Sequence, residues 1–258
     1  MFLNYVVVDV FNTRFLGNPL AIVFVPAKNR STITQTIKQK IAIKFNLSET
    51  IFLHDPEISF QAIKSRAIDT FTPKCEVPLA GHPTIGTAAY VLRNYAGGSA
   101  LQELVTKAVP IPVSQDAASG LVSASIPFEC HVHQTLVGSN LVGLSFVLAE
   151  LAGIDSLTST SSGLLEDCWN VGIMGEGWNC GPTGTKYIFV SWENAGTGSA
   201  FSALARLLAL REGKGQGSGP SHYHIVQGIE MGRTNDIYVT EVMLRCDSVL
   251  ISEGRITV

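Results

Sequence analysis

Two short stretches of small residues each open a helix-forming segment, and no other feature limits the fold of this chain as tightly. The first is Ala80-Gly81-His82-Pro83-Thr84-Ile85-Gly86-Thr87-Ala88-Ala89; the second is Ala195-Gly196-Thr197-Gly198-Ser199-Ala200. Proline in a first turn sacrifices no hydrogen bond, and paired glycines stop a helix, so the first stretch predicts a helix from His82 to about Tyr95, ended by Gly97-Gly98. The second predicts a helix from Gly198 to Leu210. A helix start rich in Gly, Thr and Ser offers backbone N–H groups and hydroxyls to an anion, such as a carboxylate or a developing enolate. Two such starts facing one another would enclose a small acid. Close helix packing also calls for small residues, and the sequence leaves both explanations open. The likeness between the stretches is weak internal similarity, as expected of two related halves rather than a solenoid.

Short strands surround both helices. Tyr5–Phe11 and Leu20–Val25 are β-branched runs separated by the turn Gly17-Asn18-Pro19. Apolar residues at Ile33, Ile37, Ile41 and Phe45 predict a helix over Ser31–Phe45, with Ser31 as its cap. Strands are expected at Thr50–His54, Ile58–Ile63, Ala67–Thr72, Leu101–Thr106, Ile111–Ser114 and Leu121–Ile126. Pro127–Gln134 reads as the crossing into a second half, which holds a short helix near Phe146–Ala152 and strands near Cys168–Gly172 and Lys186–Val190. After an exposed loop over Arg211–Ser221, strands follow at Tyr223–Gln227, Asp236–Val242, Ser248–Ser252 and Arg255–Val258. The expected division is residues 1–126 plus 245–258 in one half and 127–244 in the other.

Composition narrows the function. A 46% apolar, 15% charged chain of 258 residues can bury a substantial core, and its net charge of −3 comes without any basic run, which argues against nucleic acid. Asp9, Asn12 and Arg14 interrupt the apolar N-terminus, so neither a secretion signal nor a membrane span is expected. Five cysteines (Cys75, Cys130, Cys168, Cys180, Cys246), odd in number and without a CxxC pair, fit free thiols and a cytosolic location. His131 and His133, and His222 and His224, stand at strand spacing without a carboxylate cluster, so no metal is assigned. No GxGxxG follows the first strand, and the Gly-rich Gly213–Gly217 segment is polar loop rather than a nucleotide motif.

Four stretches together resemble the phenazine-biosynthesis-F-like (PhzF-like) family. They are Val8-Asp9-Val10-Phe11 leading to Gly17-Asn18-Pro19; Asn46-Leu47-Ser48-Glu49-Thr50; Phe71-Thr72-Pro73 through Glu76-Val77-Pro78-Leu79-Ala80-Gly81-His82-Pro83-Thr84; and Gln227-Gly228-Ile229-Glu230-Met231-Gly232-Arg233. The resemblance implies a diaminopimelate-epimerase-like α/β (α+β) fold: two similar halves, each a bent mixed sheet wrapped around a central helix, with the site between them. It implies isomerase chemistry by acid–base proton transfer on a small carboxylic acid, without metal or organic cofactor. Glu49 takes the place of the family's proton-transferring glutamate, with His82 and Asn194 as its catalytic companions; Asn18, Gly81, Thr197, Gly198 and Ser199 take the substrate-binding places.

Each residue also has a plainer explanation. Glu49 between a helix and a strand could point to water; set at the rim of an apolar pocket it would shuttle protons near neutrality. His82 at a helix start could simply pack, and the helix dipole there favours a neutral hydrogen-bonding ring. Related racemases carry a thiol before each helix-opening glycine; here Ala80 and Ala195 stand in those places, which argues against a two-thiol mechanism.

Two departures from the family pattern stand out. Asn194 lies where the family carries an acid, and asparagine exchanges no proton at neutral pH. The segment before Trp192-Glu193 is also short of about a helix and two strands, which leaves sheet edges to cover and leads to the expectation of a homodimer. A relative that binds a small acid or a protein partner without turnover is the alternative.

Overall fold

The β-branched run Val6-Val7-Val8 extends in both directions into the first strand, β1 (Phe2–Val10), which is paired on both sides. A computed structural model describes residues 1–11, 15–56, 64–94, 100–132, 137–141, 144–148, 196–211, 221–229, 231–240 and 243–258, with backbone alone for 128–132, 137–141 and 144–148. The strands are β1, β2 (Asn18–Val25), β3 (Thr50–His54), β4 (Ser65–Phe71), β5 (Glu76–Val77), β6 (Glu103–Val105), β7 (Pro110–Gln115) and β8 (Val122–Ser125). They continue with β9 (Phe128–Val132), β10 (Val137–Leu141), β11 (Leu144–Leu148), β12 (His222–Gln227), β13 (Asn235–Thr240), β14 (Met243–Cys246) and β15 (Ser248–Thr257). The helices are α1 (Gln35–Phe45), α2 (Gly81–Asn94) and α3 (Gly198–Arg211).

One mixed sheet runs β12-β13-β14-β8-β7-β6-β4-β3-β2-β1-β15, with β5 on β4; β11-β10-β9 form a second, antiparallel sheet. The final strand closes on the first, Phe2 opposite Thr257 and Val10 opposite Ser248, with a register shift between Val7 and Val8. The expected strands Ser248–Ser252 and Arg255–Val258 are thus one continuous element, since Gly254 stays in register opposite Tyr5.

The side-chain alternation of these strands serves two cores. Val6, Val8, Val10, Leu20, Ile22, Ile51 and Leu53 turn to α2, while Leu3, Val23, Val25 and Phe52 turn to α1. β3 is therefore buried at every position, as a strand covered on both faces must be. Helix α2 packs against β1, β2, β3, β7, β8, β14 and β15, and α3 packs against β9, β10, β11, β13 and β14. This is a mixed α/β fold with a helix at the centre of each strand set. Because α2 is enclosed, its sequence is small and apolar nearly all round. Gly86 is required for this fit: a Cβ there would lie 2.5 Å from Val10 Cγ2 and 2.9 Å from Leu20 Cδ2.

Three expectations are corrected. Helix α1 begins at Gln35 with Thr34 as its cap, its hydroxyl accepting from Ile37 N at 3.4 Å, rather than at Ser31. The residues before it form a 3₁₀ turn over Ala27–Asn29, and Asn29 O accepts from both Thr32 N and Ile33 N at 3.0 Å, so Ile33 is buried by a turn while keeping helical spacing. Residues 144–148, assigned to a helix from Phe146 onward, are strand β11 paired to β10. A short apolar run has no period of its own, and its hydrogen-bonding neighbour decides. Part of the expected crossing after Pro127 is itself a strand, β9. The expected strands at 58–63, 168–172 and 186–190 lie outside the described residues, as does 212–220 of the loop expected over Arg211–Ser221; at its ends Arg211 closes α3 and Ser221 is buried before β12. No helix among the described residues is long and apolar enough to cross a membrane.

A buried ionic cluster ties α1 to the outer face of the sheet. Lys38 Nζ and His54 Nε2 (2.8 Å) both meet Asp69 Oδ2, and Lys38 lies 6.0 Å from the Phe52 ring. Burial alone would raise the Asp69 carboxyl, but hydrogen bonds from His54 and Lys38, with the Lys38 charge, hold it at about 2 against an ordinary 3.8. Between those values the unfolded chain binds more protons, so the stabilisation is present above 3.8 and is lost as pH falls toward 2. Asp69→Asn is expected to cost about 3–5 kcal/mol at neutral pH, because Lys38 is left as an uncompensated buried charge. In urea melts the wild type should lose about 2 kcal/mol through the acid window that the variant does not lose; parallel pH profiles would contradict this.

Candidate active site

Helices α2 and α3 meet start to start. Gly81 N–H, the first donor of α2, bonds to Ser199 Oγ in the first turn of α3 at 2.6 Å. This approach excludes side chains. A Cβ on Gly81 would fall 2.7 Å from Ser199 Oγ and 2.9 Å from Ser199 N; one on Gly198 would fall 2.7 Å from Leu244 Cδ2 and 2.9 Å from Phe11 Cζ. The Gly81 N–H is thus taken up by Ser199 rather than open to an anion, while the hydroxyl that accepts it keeps its own proton to donate.

His82 follows Gly81 and is brought with it into the junction. Its ring is 3% exposed, and Nδ1 lies 3.1 Å from Glu49 Oε2. The turn after α1 delivers Glu49: Asn46 closes the helix in the left-handed conformation (φ 51°) with its N–H on Ala42 O, and Glu49 directly precedes β3. The carboxylate does not stand out in water; its side chain is 16% exposed.

The hydrogen bonds count the protons. His82 Nε2 lies 3.3 Å from the backbone O of Asn18, and a carbonyl only accepts, so Nε2 carries hydrogen. The contact between Nδ1 and Glu49 then needs one further proton, on the ring or on the carboxyl.

Asn18 has its own part. Buried, it donates from Nδ2 to Gly196 O at 2.8 Å and accepts from Ser48 Oγ at 3.5 Å. It therefore links the residue before Glu49 to the approach of α3. Thr197 is held by Gln227 in a reciprocal pair, Thr197 N to Gln227 Oε1 at 2.8 Å and Gln227 Nε2 to Thr197 Oγ1 at 3.4 Å. Glu49, His82 and Asn18 form one chain of contacts that ends on Gly196 O, with the Gly81–Ser199 bond and the Thr197–Gln227 pair on the adjoining residues; Asn194 lies outside the described residues.

Other site-building residues were quoted as motif letters without a role. Phe11 adopts φ 73°, a conformation strained for a bulky side chain, and is tied there by Phe11 N to Asp247 O (3.0 Å) and Asp236 N to Phe11 O (2.8 Å). Its ring lies 6.1 Å from that of His82. Only its place at the end of a strand, just before a turn, hinted at this in the sequence.

Ala80 stands before Gly81, and Cys246 is fully buried in β14, where burial pushes its thiol up to about 12. His222 bonds Thr240 Oγ1 at 2.9 Å, and His224 bonds Asp236 and stacks on Tyr238, so this histidine pair serves the strand surface. His131 has backbone alone described, and His133 lies outside the described residues. Among the described residues no three His, Cys, Asp or Glu gather to hold a metal.

Residues 8–140, just over half of the chain, match the family model described as phenazine biosynthesis-like protein. The chain belongs to that family. Among curated relatives it is 28% identical to an uncharacterized isomerase of Mesorhizobium japonicum, over 91% of this chain and 89% of the relative. It is also 28% identical to trans-2,3-dihydro-3-hydroxyanthranilate isomerase of Pseudomonas aeruginosa, over 98% of each. A solved structure described as a predicted epimerase from Pseudomonas aeruginosa superposes with a TM-score of 0.70 at 18% identity, covering 99% of both chains, and supports the fold alone.

Gly81→Ala is expected to cost about 1–3 kcal/mol through overpacking, read as a shifted urea midpoint. Adding Ser199→Gly should restore only part of that, since the Ser199 backbone N is also in the way. Full restoration, or no loss at all, would mean the two starts are not packed this tightly.

Proposed function

We propose that this member of the family is an isomerase that moves a proton on a small carboxylic acid held between the two helix starts, with residues 1–126 plus 245–258 on one side and 127–244 on the other. The observation that supports it best is the 3.1 Å contact of Glu49 with His82 beside the Gly81–Ser199 junction. Glu49 takes a proton from carbon, the electron pair shifts through the neighbouring double bond, and the same carboxyl returns the proton at another carbon. The atoms balance without a metal or an organic cofactor. His82, sharing a proton with Glu49, adjusts to each stage. The Ser199 hydroxyl and the N–H groups of the first turn of α3 face the substrate carboxylate and the charge that develops beside it. The names of the relatives supply the first compound to try, trans-2,3-dihydro-3-hydroxyanthranilate, a cyclic acid of the right class.

In deuterated water the wild type should place deuterium on carbon of that compound. Glu49→Gln should slow this by about a hundredfold or more, the scale of a lost general base. Equal exchange in both proteins would remove Glu49 from the reaction.

Asn194 supports a second reading, in which the protein binds such an acid and turns it over weakly or not at all. Asparagine cannot stand in for an acid in proton exchange, and the family carries an acid there. Asn194→Asp should then raise turnover; unchanged or lower turnover would show that this position does not limit the reaction. A homodimer in the cytosol remains part of the proposal.

A further inference from the structure

We infer that Arg233 and Asp9 form a clasp that positions His82, and that these are positioning residues for the proton transfer proposed above, on which the inference rests. Asp9 is buried at the end of β1, and both its oxygens are engaged: Oδ2 accepts from Phe15 N at 2.7 Å and Oδ1 from Arg233 Nη2 at 3.1 Å. The same guanidinium donates from Nε to Gly17 O at 2.9 Å, and Gly17 N donates to Thr234 O at 3.1 Å. The turn at residues 15–17 is thereby gripped from β1 on one side and from the segment before β13 on the other. Desolvation by burial raises the Asp9 carboxyl, against the opposing effect of the Phe15 N–H and of Arg233, so the cation is the partner that burial of this group requires.

The residue after Gly17 is Asn18. Its backbone O receives His82 Nε2, and its side-chain amide holds Gly196 O ahead of α3. A shift of the gripped turn therefore moves the acceptor that fixes the His82 tautomer and the tie to the second helix start together. Arginine suits this place because its planar fork serves a carboxylate and a carbonyl at once, which a single lysine nitrogen cannot do in the same geometry. Placement errors of about 1 Å can cost about a hundredfold in rate.

The test uses Arg233→Gln, Arg233→Lys and Asp9→Asn, with Arg30→Gln as the control. Arg30 donates to Asp55 O at 2.7 Å beyond the C-terminal ends of β2 and β3, whereas Asn18 and Glu49 sit at the opposite ends of those parallel strands. Ring ¹⁵N shifts of His82, assigned with His82→Gln, report the tautomer without any turnover. In folded Arg233→Gln the two ring nitrogens should converge toward averaged values, kcat for deuterium exchange into trans-2,3-dihydro-3-hydroxyanthranilate should fall about tenfold or more, and KM should change little. Arg233→Lys should recover part of the loss, and Arg30→Gln should leave the His82 shifts in place. If Arg233→Gln does not fold, Asp9→Asn is judged by the same criteria. His82 shifts unchanged in a folded clasp variant, or displaced equally by Arg30→Gln, would overturn the inference. A wild type without exchange would count against the isomerase reading alone, and the ring signals would still decide the clasp.

Discussion

The structure turns on one hydrogen bond between two helix starts, Gly81 N–H to Ser199 Oγ. Helix starts carry unpaired donors and positive partial charge, so bringing two together requires an acceptor between them. A serine hydroxyl in the first turn of α3 fills that need. Glycine at 81 allows the approach, since a Cβ there would stand within 3 Å of Ser199, and glycine at 198 leaves room for Leu244 and Phe11 beside it. Once the contact is made, His82 has little choice of position. It follows Gly81 and faces the end of the turn that delivers Glu49, with the Asn18 carbonyl behind it.

Two acidic side chains beside β3 show how surroundings differ across one strand. Asp69 lies under α1 with two nitrogen partners that hold it ionised far below neutrality, so it anchors the helix and cannot carry protons near pH 7. Glu49 lies 3.1 Å from an imidazole beside the junction. Both flank β3, the strand buried on both faces. The sheet thus separates the Lys38–His54–Asp69 cluster from the Glu49–His82 pair.

Much of the fold was legible. Helices α2 and α3 were found from their small-residue openings, and β1, β2, β3, β7 and β12 from β-branched or alternating runs, because those patterns follow from local geometry. Ile33 and Phe146 show the limit. The first keeps helical spacing in the bend before α1, where the local bond to Asn29 O holds it, and the second lies in a run equally apolar in helix or strand that pairing with β10 decides. At the site, Glu49 and His82 were named on resemblance, and their contact is a matter of geometry. Gln227, Phe11, Asp9 and Arg233 were visible only as motif letters, because their tasks are bonds to residues on other elements or far along the chain.

The sequence by itself determined which segments could be helix starts, which runs could be strands, where a carboxylate and an imidazole lay, and where no thiol or nucleotide loop existed. Those are properties of residue type and short spacing. Only the tertiary structure decided that the two starts touch, that Glu49 turns inward, that His82 carries hydrogen on Nε2 and that Asn18 ties both helix openings together. Each of these joins residues separated by 33 to 178 positions, with no local periodicity to record the pairing; packing and hydrogen-bond satisfaction across the sheet select it.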